Sequence, residues 1–92
     1  MQQIVVVKRR GRKVNFDERK VYASIYFACM SAYYSEIKCE KIAEKVTKNL
    51  KKWLKNKRIV SSSEIRRKVM KELKDAKIAF HYDKHLPNLS KL

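Results

Sequence analysis

Glycine and proline are almost absent from this chain. Gly11 and Pro87 are the only ones in 92 residues. So few turn formers point to long helices joined by few turns. Acid is scarce as well: 9 Asp and Glu stand against 24 Lys and Arg, a net charge of +15. Such an excess costs self-repulsion in a compact state, which an anionic partner would relieve. Thermophile-like compositions also carry many solvated lysines, but they balance them with glutamate. Cysteine occurs twice, as Cys29 and Cys39, with no CxxC spacing. That excludes a zinc ribbon or thiol redox motif, and both residues fall on apolar helix faces as buried free thiols. There is no signal peptide and no apolar run near the ~18 residues of a membrane span. The expected compartment is the reducing cytoplasm. Ser61 to Ser63 have no histidine spaced for a triad, and no other catalytic constellation is found, so no enzyme is expected.

What is present is an apolar fraction of 45%, enough for a packed core. The length sets a single domain over 1–92, with its core at about 4–86. Residues 4–7, Ile-Val-Val-Val, read as a strand. Arg10-Gly11 offers a two-residue turn, with glycine supplying positive φ, and Arg12 to Phe16 returns as a second strand. That register sets Val7 against Val14, Val5 against Phe16 and Lys8 against Lys13. The last is a like-charge pair that an overlying anion would relieve. Asp17 caps a helix from Glu18 to Ala32, whose apolar stripe is widened by Tyr22, Tyr26 and Tyr33. A second helix runs from about Ser35 to Asn56 on Cys39, Ile42, Ala43, Val46, Leu50, Trp53 and Leu54. Its opposite face carries Lys41, Lys45, Lys48, Lys52 and Lys55. Glu36, Glu40 and Glu44 read as a solvated row with lysine partners.

Ile59-Val60 is a short extended step. Ser61-Ser62-Ser63-Glu64 is a capping box, with Val60 and Ile65 as its staple. The last stretch holds Ile65, Val69, Met70 and Leu73, then Ile78, Ala79, Phe80, Tyr82 and Leu86, with Pro87 as the stop. Lys74-Asp75 breaks it weakly, so two helices or one continuous helix both fit. The fold class is α+β: an N-terminal β-hairpin, with a short third strand, packed on a bundle of about four α-helices. His81 and His85 lie four apart but lack a third ligand, so a protein-held metal is not expected.

From Lys8 to Lys13, five of six positions are cationic, and Lys20 sits in the first turn of the next helix. Acidic residues normally favour that turn. Backbone N–H groups at a helix start, with converging Lys and Arg, suit a polyphosphate. A solvated basic tip is the equal alternative from composition.

The run Val6-Val7-Lys8-Arg9-Arg10-Gly11, followed by Phe16-Asp17 and Lys20-Val21, resembles the opening motif of the ATP-cone family, V-x-K-R-D-G-x-x-x-x-F-D-x-x-K-I. Ile42-Ala43, Val46, Val60 to Ile65, Val69, Leu73, Ala79 and Tyr82 follow its later pattern. The resemblance implies four helices capped by a three-stranded sheet, and binding of ATP or dATP, with Mg²⁺ carried by the nucleotide. It implies regulation through oligomeric state, of this chain or a separate partner. It places Val6, Lys8 and Arg9 along the nucleotide, Lys20 at the phosphates, and Val14 and Asp17 near base or sugar. Arg10 replaces the family's aspartate and adds a cation to that set. The link between the last two helices is about three residues shorter than the family's and lacks its glycine. No zinc ribbon precedes the motif and no reductase or nuclease body follows, so the expected output is on another chain. The rival reading is a nucleic-acid-binding protein, using the hairpin tip, Lys41, Lys45, Lys48, Lys52, Arg66 and Arg67. A cone that has lost its nucleotide and binds only protein is the third.

Overall fold

The computed structural model describes residues 3–89, with side chains described through residue 84. The parts of the sequence-based plan that rest on local chemistry survive; those that depend on tertiary placement shift. Strand β1 (Val5–Val7) is central in a mixed sheet of order β2-β1-β3. β2 (Lys13–Asn15) pairs with it antiparallel, and β3 (Ile59–Ser61) pairs with it parallel. Four helices follow the α+β plan: α1 (Glu18–Ser31), α2 (Glu36–Leu54), α3 (Ser62–Glu72) and α4 (Ala76–Leu89).

The hairpin register differs from the expected one by a residue. Val6 sits opposite Val14 and Val7 opposite Lys13. The cause is the tip, which needs three residues rather than two. The Lys8 N–H donates to Arg12 O at 2.7 Å, and the Gly11 N–H closes a 3-10 turn on Lys8 O at 3.1 Å. Because strand side chains alternate, the slip moves the inward set from Val5 and Val7 to Val6, Val14 and, on β3, Val60. The like-charge opposition therefore falls on Lys8 and Arg12 instead of Lys8 and Lys13.

The tip also puts two successive residues in the left-handed region, Arg10 at φ 64° and Gly11 at φ 76°. Glycine adopts it freely; arginine pays a steric penalty between Cβ and the carbonyl. Arg10→Asn, which tolerates this region, is expected to raise stability by about 1 kcal/mol. Urea melts of the two proteins check this: a higher midpoint with unchanged slope is the expected outcome.

The helix boundaries follow capping chemistry. Asp17 accepts from the Arg19 N–H at 2.9 Å, and Ser35 accepts from the Lys38 N–H at 3.2 Å. Ser61 and Glu64 form the reciprocal capping box, at 3.1 and 3.0 Å. α3 and α4 are separate. Leu73 is extended (ψ 93°), and Asp75 caps the new helix by accepting from the Lys77 and Ile78 N–H groups at 2.9 and 3.2 Å. The Tyr34 hydroxyl donates to the same carboxylate at 2.6 Å, tying the α1–α2 loop to the start of α4. The Tyr34 bond, then the backbone donors, hold Asp75 below the usual carboxylate range.

Three placements correct the sequence reading. Tyr33 does not extend the α1 stripe: it turns left-handed (φ 66°), ends the helix and is 95% exposed. Phe80 does not join the core stripe: the break at residues 73–75 restarts the helical phase and turns it outward, 61% exposed. Helix α4 does not stop at Pro87 but runs through it to Leu89, and residues 90–92 lie outside the described residues.

The core joins Ile25, Ala28 and Cys29 of α1 to Cys39, Ala43, Val46, Leu50 and Leu54 of α2, with Val69, Leu73, Ile78 and Tyr82 closing it. Cys29 and Cys39 are buried free thiols as expected. Burial, and then Cys39 beside it, push the Cys29 thiol up to about 12, so it is an inert packing group. Trp53 packs half-buried against the core, with the Lys57 ammonium 4.7 Å from its ring centre.

Candidate functional site

The hairpin delivers its charge to the N-terminal end of α1. Val6 and Val14, paired across the strands, point into the core, so Lys8, two residues past Val6, follows them off the end of the sheet, half-buried. Its ammonium pKa is lowered from the ordinary lysine value. Burial is the main cause, and the charges of Arg12 and then Lys20 add to it. The fold thus brings a partly desolvated lysine together with an arginine from the hairpin and a lysine from the first turn of α1. Arg12 is the member of this cluster that the sequence reading missed; its signal was a place directly across the loop mouth from Lys8.

Arg9 and Arg10 stand exposed on the tip. Lys20 is exposed too, and its position two residues after Glu18 aims it to the hairpin flank of α1. Asp17 is half-buried and committed to the helix cap. Its carboxyl is held low mainly by the Arg19 backbone N–H.

The other flank of the same helix turn opens on a groove between α1 and α2, of about 540 Å³, lined by Glu18, Tyr22, Glu44, Thr47, Lys51 and Lys55 among others. Lys51 Nζ and Glu18 Oε2 form an ion pair at 2.8 Å. Thr47 lies on the groove floor, 7% exposed, and its Oγ1 has no hydrogen-bond partner among the described residues. A buried hydroxyl left unpaired costs free energy, so it favours a ligand atom that can pair with it. The sequence carried one signal for Thr47: a lone polar residue inside the α2 stripe, four after Ala43 and three before Leu50. Tyr22 and Tyr26 stack along this side of α1, with ring centres 6.3 Å apart.

A second hollow of about 430 Å³ lies at the far end of α1, between Ala32, Tyr33, Ala76, Lys77, Phe80 and His81. Phe80 meets the His81 ring edge-on at 5.4 Å. The His85 side chain, the other half of the expected pair, lies outside the described residues. Among the described residues no cluster of three His, Cys, Asp or Glu could hold a metal.

The lysines of α2 are placed as the periodicity predicted. Lys41, Lys45, Lys48, Lys52 and Lys55 are all exposed. Each like-charged neighbour at i+3 or i+4 costs the helix roughly 0.2–0.5 kcal/mol. Arg67 is exposed, whereas Arg66 is engaged with Asp83. Glu36, Glu40 and Glu44 are exposed but not lysine-paired among the described residues. They face α1, where their charges help raise the Tyr22 and Tyr26 hydroxyls after burial does. Among the described residues no helix is long and apolar enough to cross a membrane.

Comparison with known proteins bears on this arrangement directly. The family profile described as the ATP cone domain matches residues 4–85, which takes in the hairpin, all three strands and the four helices up to the last turns of α4. A transcriptional repressor of Carboxydothermus hydrogenoformans, NrdR, is 38% identical over 71 residues, covering 77% of this chain and 45% of its own length. The chain thus spans less than half of that relative. Four helices under a mixed three-stranded sheet, the basic hairpin and a match over nearly the whole length lead to one conclusion: the chain belongs to the ATP-cone family of nucleotide-binding regulatory domains.

Proposed function

We propose that this chain binds a nucleoside triphosphate, ATP or dATP, against Lys8, Arg12 and Lys20, and acts as a regulatory module without catalysis. The observation that carries this reading is Lys8. A cation kept half-buried beside two others is unfavourable in the empty protein, and a triphosphate reverses the sign of that interaction. Arg9 and Arg10 on the tip extend the positive field over the same phosphates. The α1–α2 groove begins at Glu18, the first residue of the helix that the hairpin leads into. It offers the Tyr22 ring and the unpaired Thr47 hydroxyl to the nucleoside. Val14 and Asp17 contribute by position, as sheet floor and helix cap.

Protein carboxylates near the cluster are already committed: Asp17 to its cap and Glu18 to Lys51. Magnesium therefore enters on the nucleotide's own oxygens. Binding is read out by association with a second copy or a separate chain. The exposed Phe27, Met30, Tyr33 and Phe80 supply apolar surface for such contacts, away from the phosphates.

Calorimetric titration with ATP and dATP tests the proposal. Lys8 has a lowered pKa in the chain without nucleotide and a higher one beside phosphate, so binding takes up protons at pH values between the two. The expected result is one site per chain, with an observed enthalpy that depends on buffer ionisation at alkaline pH. Absence of heat with either nucleotide would overturn the reading.

A further inference from the structure

Helix α2 carries two stripes with the same 4-3-4-3 spacing. Cys39, Ala43, Val46, Leu50 and Trp53 follow one, the first four buried and Trp53 half-buried. Lys41, Lys45, Lys48, Lys52 and Lys55 follow the other, offset by two residues from Cys39, Ala43, Val46, Leu50 and Trp53. Two residues are about 200° of helix, so the row lies on the side of α2 away from the core, with Lys48, Lys52 and Lys55 also bordering the α1–α2 groove. From Lys41 to Lys55 is 14 residue steps, about 21 Å at the helical rise.

A merely solvated helix face intersperses both signs of charge. Here they are segregated. The helix's carboxylates, Glu36, Glu40 and Glu44, lie on the flank toward Tyr22 and Tyr26. None of the five lysines is ion-paired among the described residues, whereas Lys51, off the stripe, is. The outward row is uniformly cationic, straight and self-repelling along its length.

From this segregation we infer that the outer face of α2 binds the phosphodiester backbone of duplex DNA. The row bears lysines and no aromatic side chain, so it offers phosphate contacts without the stacking platforms that single strands use. A helix of about 10–12 Å also matches the B-DNA major groove and not the deep, narrow one of RNA. Contact to backbone alone makes the binding independent of base sequence. The row is not the hairpin cluster, but Lys48, Lys52 and Lys55 also border the α1–α2 groove that the nucleotide reading gives to the nucleoside, so Lys8→Met is the variant that separates the two.

The test is fluorescence anisotropy of a labelled 20-bp DNA duplex between 50 and 200 mM salt, with duplex RNA and a poly-glutamate peptide as competitors. Five phosphate contacts give a log–log salt slope of about −4.5. Lys45→Ala/Lys48→Ala/Lys52→Ala leaves two contacts and a slope of about −1.8, with at least tenfold weaker binding at 50 mM. Lys71→Ala/Lys74→Ala/Lys77→Ala removes the same charge from elsewhere and keeps the slope. Lys8→Met keeps it too. Equal losses in both triple variants would reduce the effect to net charge and overturn the inference. So would stronger competition by the RNA or the peptide than by unlabelled DNA, or no binding at 50 mM by the unaltered chain.

Discussion

Lys8→Met is expected to weaken ATP binding by about 10- to 100-fold and to leave the chain folded. The magnitude comes from a charge-assisted hydrogen bond to phosphate, about 1.5–3 kcal/mol. It lies at the upper end of what a single cation in this site can contribute, because Lys8 alone is partly desolvated. Arg9, Arg10 and Lys20 are exposed, where solvent and salt screen them. Methionine keeps the unbranched stem that follows Val6 off the sheet, so packing is retained. It also removes a charge that Arg12 and Lys20 repel, so the empty protein is no less stable. Calorimetric dissociation constants for Lys8→Met, Lys20→Met and Arg9→Met order the contributions, with Lys8 first. An unchanged affinity in Lys8→Met would move the triphosphate away from the hairpin base altogether. Salt adds a second contrast. The affinity of one triphosphate falls less steeply with ionic strength than that of a lysine row on DNA.

The helix caps, the strands and the lysine row were legible because each rests on chemistry within four residues of chain. Ser61 and Glu64 specify the start of α3 between them, whatever surrounds it. The hairpin register was not legible, because it hangs on whether the tip closes with two residues or three. The structure closes it with three, Arg9 to Gly11, and holds both Arg10 and Gly11 in the left-handed region. The break between α3 and α4 is similar. Lys74-Asp75 carries no glycine or proline, and what ends the helix is Asp75, capping onward and held from the side by Tyr34, 41 residues away in sequence. Once that break is made, the phase of α4 restarts. Phe80, which suits an unbroken stripe from Ile65, is then turned to solvent. Thr47 was overlooked for the opposite reason. A single threonine in an apolar stripe reads as a tolerated core residue until the groove beside it is seen.

The stability of the chain depends on the inner stripe of α2. Leu50 has no exposed surface and sits where α2 meets the rest of the core. Leu50→Ala removes buried methyl groups and leaves a cavity that helices fixed at capped ends cannot close. The expected loss is about 2–5 kcal/mol. Domains of this size have a total of about 5–15 kcal/mol, so about a third of the stability goes at the middle of both ranges. At about 4–8 °C per kcal/mol, Tm falls by roughly 10–30 °C. Lys52→Ala, two residues on and facing away, moves Tm by little, because no described contact is lost. The two variants together separate the faces of one helix by thermal melting alone. Nucleotide links this result to the hairpin. ATP at a hundredfold excess over its dissociation constant returns about 2.7 kcal/mol to any folded form that still binds it. Leu50→Ala is therefore expected to regain much of its lost Tm on adding ATP. The double variant with Lys8→Met is expected to regain almost none. Equal recovery in both would show that ATP stabilises the fold from a site that does not include Lys8.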